Sequence, residues 1–341
     1  MTAIGSFEID YETATQRCGL LDRSERGKLA LTGAGAKEFL QGQVSNDVES
    51  LTPGTGCYAA FLTPKGKMLG DLRILDAGEA VLLDTERTAL QELFNLIRRF
   101  SIGYGVELHK RTLERGLLSL IGPATDDVLA VAGGSRDGTP ADIEHAHLAG
   151  RIAGTEVRLI RTDTGIDVLC DSDTVDAVRA ALLEAGAAEI CDEAAECLRI
   201  ERGRPRYGID LDDSVIPQEA GLNERAVSFT KGCYVGQETV ARLFYRGKPN
   251  RDLRGLRGAE RIPVGTALSH GEREVGRVSS SAVSPRLGAV ALALVRREAP
   301  VGTVVQAGTA GQFEVVALPF AAGFDRRQGY DPGTDSGGNR S

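Results

Sequence analysis

From about residue 252 the chain changes texture, and that change most constrains its fold. Before it, short apolar runs alternate with stretches of helical period. After it come only brief β-type runs separated by turns: "LRGL", "TALSH", "EVGRVSSS", "AVALALV", "TVVQAG" and "QFEVVAL". Two of the turns echo each other, "PVGTAL" at 263–268 and "PVGTVV" at 300–305. Such an echo predicts two similar hairpin strands of a small all-β domain rather than a solenoid. Mixed elements followed by a β-only end predict an α+β chain, not a doubly wound sheet.

Three segments before residue 252 have clear helical periodicity. "DTERTALQELFNLIRRF" places Leu90, Leu93, Phe94, Ile97 and Phe100 on one stripe, with Asp84 or Thr85 as cap and Arg98 and Arg99 in the last turn. "DSDTVDAVRAALLEAG" runs from an Asp171 or Ser172 cap to a Gly186 stop, and "DEAAECLRIERG" ends at Gly203 and Pro205. Short runs in "TPGTGCYAAFLTPKGKMLGDLRILDAGEAVLLDT" read as antiparallel strands. The tail "DRRQGYDPGTDSGGNRS" is polar and Gly-rich, which predicts disorder over 326–341.

With 341 residues, the chain is long enough for two or three domains. A net charge of -8 argues against bulk attraction to nucleic acid or anionic membrane. No apolar run is long enough to span a bilayer and the N-terminus lacks a signal-peptide core, so the expected location is the cytoplasm. The six cysteines, at 18, 57, 170, 191, 197 and 233, form no C-x-x-C pair, which predicts free thiols and no metal site.

Several tempting motifs are weak. "LALTGAGAKEF" has Glu38 where a dinucleotide-binding loop needs its third glycine, so a plain strand-to-helix turn is expected. His145 and His147 in "HAH" would share a face of a strand but have no signalled third ligand, which predicts exposed or core-edge histidines. Glu201, beside Leu198 and Ile200, has two readings. It pairs at the surface with Arg199, Arg202 or Arg204, or it faces inward and reads an N–H and NH2 edge, as on a pterin or guanine. "FTKGCYVGQETVARLFYRG" (229–247) sets Cys233 near Lys231, Arg242 and Arg246, just ahead of a helix starting near Gln237. Cys233 is then either a small residue in a turn or a thiol whose thiolate its cationic surroundings favour.

The signature "KGCYVGQE" resembles that of the folate-binding YgfZ family, relatives of the glycine cleavage T-protein. "FLQGQVSNDV", "YAAFLTPKGKMLGDLRI", "LRIERGRPRYGIDL" and "GRVSSSAVSPRLGAVALALVR" extend the resemblance over about residues 20–320. It implies a three-domain, cloverleaf-like α+β fold around a central folate channel. The implied domains are a discontinuous first α+β domain (1–51 plus 114–245), an inserted α/β domain (52–113) and a C-terminal β-barrel (246–325).

The implied ligand is tetrahydrofolate or a one-carbon derivative. Glu201 would read the pterin, Tyr58, Asp71 and Gln237 would line the site, and Arg199, Arg242 and Arg246 would supply arginines for the glutamyl tail. Cys233, Lys231 and Asp71 would be the reactive groups, and the implied role is assembly or repair of Fe–S clusters in transient client enzymes, including tRNA-modifying ones. One departure points away from catalysis: T-proteins carry two adjacent aspartates where this chain has Gly70-Asp71, and aminomethyl transfer needs an acid or base at the folate nitrogens. The alternatives are a tetrahydrofolate-dependent aminomethyltransferase and a non-enzymatic scaffold with a vestigial folate pocket.

Overall fold

The computed structural model describes residues 6–133 and 138–320, and the expected tail at 326–341 lies outside them. Two open sheets and a closed barrel organise the chain. The first sheet has the order β11-β1-β7-β10-β9-β8, from β1 (Gly19–Asp22), β7 (Arg115–Ile121), β8 (His147–Ile152), β9 (Thr155–Arg161), β10 (Gly165–Asp171) and β11 (Ala188–Glu189). Only β1 and β11 pair in parallel. Helices α4 (Thr125–Val131) and α5 (Val175–Glu184) contribute Val128, Leu129, Val178 and Leu182 to its apolar core.

The second sheet has the order β3-β4-β5-β2-β6: β2 (Gly27–Thr32), β3 (Gly56–Leu62), β4 (Met68–Asp76), β5 (Val81–Thr85) and β6 (Glu107–Lys110). Sequence reasoning put residues 1–51 with 114–245, yet β2 hydrogen-bonds to β5 and β6 in this second sheet. Helices α2 (Ala36–Gln43) and α3 (Arg87–Phe100) share its core. Leu90, Leu93 and Ile97 of α3 are buried as the stripe requires, but Phe100, the last residue of the helix, is exposed. Glu86, not Asp84 or Thr85, is the cap residue of α3, since both earlier residues still belong to β5.

Strand β4 decides what the protein can do. It is buried on both sides, so the two-residue alternation of a strand separates two environments. Leu72 and Ile74 pack into the α3 core, and a Cβ placed at Gly70 would meet Leu93 at 3.0 Å and Ala89 at 3.2 Å. Asp71 and Arg73 take the opposite face, toward the first sheet.

The barrel closes in the order β12-β15-β14-β13-β16-β17, from β12 (Arg251–Gly258), β13 (Ala267–His270), β14 (Arg273–Ser284), β15 (Gly288–Arg296), β16 (Val304–Gln306) and β17 (Gln312–Val316). The echoed segments become neighbours, since β13 pairs with β16. Each enters through the same turn: Thr266 N–H donates to Pro263 C=O and Thr303 N–H to Pro300 C=O, with Gly265 and Gly302 at positive φ. Glycine at the third turn position is what that geometry demands. Helices α1 (Ser6–Gln16) and α6 (Asp192–Glu201) pack on each other, and α6 also lies against β14, which joins the barrel to the rest. No helix among the described residues is long and apolar enough to cross a membrane.

Candidate functional site

The two open sheets face each other across a cavity of about 170 Å³. Tyr58 of β3 and Asp71 and Arg73 of β4 enter from one side, and Ser119 of β7 and Asp167 of β10 from the other. Arg225, on the short helix α7 (Asn223–Ala226), and the turn residues Glu144, His145 and Asp163 complete the wall.

A buried ion network fixes the wall. The Arg73 guanidinium donates to Asp167 at 2.7 Å and pairs with Asp84 at 2.7 Å, linking the second sheet to the first. Arg26 bonds Asp84 at 2.7 Å and also Glu86, while Ser119 donates to Asp167 at 2.6 Å. The guanidiniums beside them hold Asp84 and Glu86 below the usual carboxylate range in spite of burial. Such charges are kept in place by mutual pairing; removing one strands the others.

Asp71 behaves differently. It is only 5% exposed and forms no ion pair among the described contacts; its oxygen accepts the Tyr58 hydroxyl at 2.6 Å. Burial raises its pKa to about 6, with the Tyr58 bond and the more distant Arg26 and Arg225 opposing the rise. The Arg225 guanidinium lies 5.0 Å from the centre of the Tyr58 ring and bonds Glu144. A carboxyl poised near neutrality in a cavity can both take and give a proton at physiological pH.

Three buried nitrogens on this wall have no hydrogen-bond partner within the protein: Arg73 Nε, His145 Nδ1 and Arg225 Nε. Buried polar atoms are rarely left so. Their residues line a cavity that also holds a carboxyl retaining its acid form near pH 6, and that is the pattern of a binding site.

Of the residues singled out by sequence, the structure brings Tyr58 and Asp71 together here and places the others elsewhere. Glu201 does not face the cavity. Its side chain is 2% exposed, and its oxygens accept from Tyr11 at 2.8 Å, from Ser284 and from Arg286 at 3.1 Å. With those acceptor positions used inside the protein, the carboxylate ties α6 to α1 and β14 rather than presenting an edge to a pterin. Arg199 is a hub of the same kind, bonded to Glu196, to Asp210 at 2.7 Å and to Ser280 at 2.7 Å.

Lys231 also proves to be a clasp. Its ammonium donates to the carbonyls of Gln41 at 2.6 Å, Val44 at 2.8 Å and Asn46 at 2.8 Å. An ammonium has three N–H bonds, so none remains to hydrogen-bond the Cys233 sulfur. Cys233 itself is exposed, unlike Cys18, Cys170 and Cys197. Gln237 begins helix α8 (Gln237–Arg246), and Arg242 and Arg246 are exposed on that helix, outside the cavity. Among the described residues no group of three or more His, Cys, Asp or Glu side chains is placed to hold a metal ion.

Sequence reasoning missed Arg73, His145 and Arg225. Arg73 was within reach, since it lies two residues beyond Asp71 on a strand. His145 and His147 were expected on one face of a strand, but only His147 belongs to β8; His145 sits in the preceding turn at φ 72. Nothing in the local sequence marks Arg225.

The family model described as "GCVT N-terminal domain" matches residues 4–231, and that described as "Glycine cleavage T-protein C-terminal barrel domain" matches residues 251–321. An aminomethyltransferase of Prosthecochloris aestuarii is 31% identical, over 89% of this chain and 87% of that protein. One of Geobacillus kaustophilus is 30% identical, over 92% and 90%. The crystal structure of glycine cleavage system aminomethyltransferase T from Bartonella henselae superposes with a TM-score of 0.83 over 94% of this chain and 90% of that one, at 24% identity, a likeness of fold.

Proposed function

The chain belongs to the glycine cleavage T-protein family, and from that membership we propose that it is a tetrahydrofolate-dependent one-carbon transferase of the aminomethyltransferase kind. The observation that carries this reading is Asp71, buried in the central cavity with its pKa raised to about 6. Transfer of a one-carbon unit to a reduced folate takes protons from the folate nitrogens that bond the carbon, and Asp71 is the group able to accept one.

The missing neighbour at position 70 does not count against catalysis. A carboxylate there would point into the α3 core against Leu93 and Ala89, not into the cavity. Only the second position of that pair can serve the ligand, and this chain keeps it.

The cavity fits the head group better than the whole molecule. Its volume is below the roughly 300–1,000 Å³ of pockets that enclose complete small ligands. A wall that includes Tyr58, Asp71, His145 and Arg225 suits a bicyclic ring bearing polar edges, with the tail lying outside. When bound, the folate supplies the nitrogens that receive the carbon. Asp71 would hold the proton, Tyr58 would hold Asp71, and the ion network around Arg73 would keep the two sheets at fixed separation.

One observation favours a second reading, YgfZ-type support of Fe–S enzymes. The exposed Cys233 lies in the family-type motif "KGCYVGQE", free to meet a client protein. A turnover assay with an aminomethyl donor and tetrahydrofolate separates the two. Sustained folate-dependent transfer is expected; folate binding without turnover would move the conclusion to the second reading.

A further inference from the structure

A second, larger cavity opens between the same two sheets. It measures about 860 Å³ and shares only Arg73 and Asp84 with the central cavity, so Tyr58, Asp71 and Arg225 have no part in its wall. Its size falls within the roughly 300–1,000 Å³ of pockets that enclose a small molecule. Leu75 of β4 and Leu82 of β5 line one side, and Leu117 of β7, Ile160 of β9 and Leu169 of β10 the other.

The charges on this wall are unequally matched. Arg115 pairs with Asp171 at 2.7 Å, Arg151 with Glu156 at 3.2 Å, and Arg111 with Glu114. Half-buried Arg158 forms no ion pair among the described residues; its Nη1 donates to His147 Nδ1 at 2.9 Å. That acceptor is neutral, because burial and the Arg158 charge push the His147 pKa down to about 4. The remaining hydrogen of the ring, on Nε2, is given to Thr55 C=O at 3.2 Å. Burial also holds the Arg158 pKa below the usual arginine value, with Glu79 opposing and Arg115 adding to the shift. A guanidinium keeps its charge at physiological pH all the same, so one that is half-buried without a carboxylate is a place where an anion is stabilised. Strand geometry aims it. Arg158 stands two residues before Ile160 on β9 and opposite Ala149 of β8, and all three line the cavity.

We propose that this cavity is a second ligand site, for an organic anion whose apolar, ring-sized body lies between the leucines of the two sheets and whose single oxyanion head is held by the Arg158 guanidinium. The inner wall calls for the apolar body, and the one uncompensated arginine calls for the one negative charge. The assignment does not depend on what the central cavity binds.

Fluorescence titration of the full-length protein with 8-anilinonaphthalene-1-sulfonate tests it, since that dye joins an aromatic body to one sulfonate. N-phenyl-1-naphthylamine has the same body without the charge. The wild-type protein is expected to bind the sulfonate saturably. Arg158→Gln should weaken that binding about tenfold or more, the scale of one charged hydrogen bond lost, and leave the affinity for the uncharged dye unchanged. Ala149→Trp, which puts an indole beside Arg158 in the cavity, should weaken both dyes. Absence of saturable sulfonate binding to the wild type overturns the site, as does binding that Ala149→Trp leaves unchanged. An Arg158→Gln variant that binds the sulfonate as the wild type does, or that loses both dyes alike, overturns the assignment of the anionic head.

Discussion

Glu201 and Asp71 are both buried carboxylates, at opposite sides of the molecule's function. Glu201 is met from α1, α6 and the barrel, and Tyr11, Ser284 and Arg286 all donate to it. Asp71 receives the Tyr58 hydroxyl and lines the cavity between the two sheets. Burial alone does not distinguish a structural acid from a working one. The distinguishing feature is whether the surrounding polar groups are used up. Around Glu201 they are, and the carboxylate is a joint; around Asp71 they are not, and the space waits for a molecule.

The largest test of that contrast is Asp71→Asn. Removing the proton acceptor should lower transfer by about 100- to 10,000-fold, while the fold becomes more stable. The sign follows from the raised pKa: at pH 7 the buried carboxylate is ionised against its preference, so its contribution to stability falls as pH rises from about 4 to about 6 and stays low above. Chemical denaturation at pH 7 should therefore show a gain of up to about 3 kcal/mol, shrinking toward pH 4. Lost stability at pH 7 would mean that Asp71 is a structural acid like Glu201.

Glu201→Ala should do the reverse. Stranding Arg286 and two hydroxyls is expected to cost about 3–5 kcal/mol of folding stability, with tetrahydrofolate affinity unchanged below the melting transition. A tenfold weaker affinity in a folded variant would return Glu201 to the binding site. A smaller effect is expected from Tyr58→Phe. The acidic limb of the rate profile should lie near pH 6 in the wild type, where Asp71 gains its proton. Loss of the Tyr58 bond should move it upward by about one unit; a limb that does not move would take Asp71 out of the rate-limiting proton transfer. The smallest effect belongs to Cys233→Ala, which should leave transfer rates within twofold. A larger fall would bring the thiol into the chemistry.

The molecule's parts differed in how legible they were. The barrel could be read directly, because the "PVGT" turns need glycine at fixed places and the strands between them are short. Tyr58 and Asp71 came from the resemblance of "YAAFLTPKGKMLGDLRI" to a T-protein segment, and the pairing of β3 with β4 sets them side by side. The partners of Glu201 were hidden for a physical reason: Tyr11 and Ser284 lie 190 and 83 positions away, and no local pattern announces them. The contacts of Lys231 were hidden likewise, since its three carbonyl partners belong to residues 41–46. The position of β2 follows the same rule, because strand pairing is decided by distant partners that a local period does not name.

The Lys231 clasp has a practical consequence. It anchors the chain two residues before Cys233, and Cys233 is the exposed thiol among six; the other five, Cys18, Cys57, Cys170, Cys191 and Cys197, are buried or half-buried with their thiols pushed up by burial, and so react slowly. A maleimide dye added at neutral pH would thus attach at one natural position on a tethered loop. The protein carries its own handle for fluorescence or spin-label distance measurements, with no engineered cysteine required.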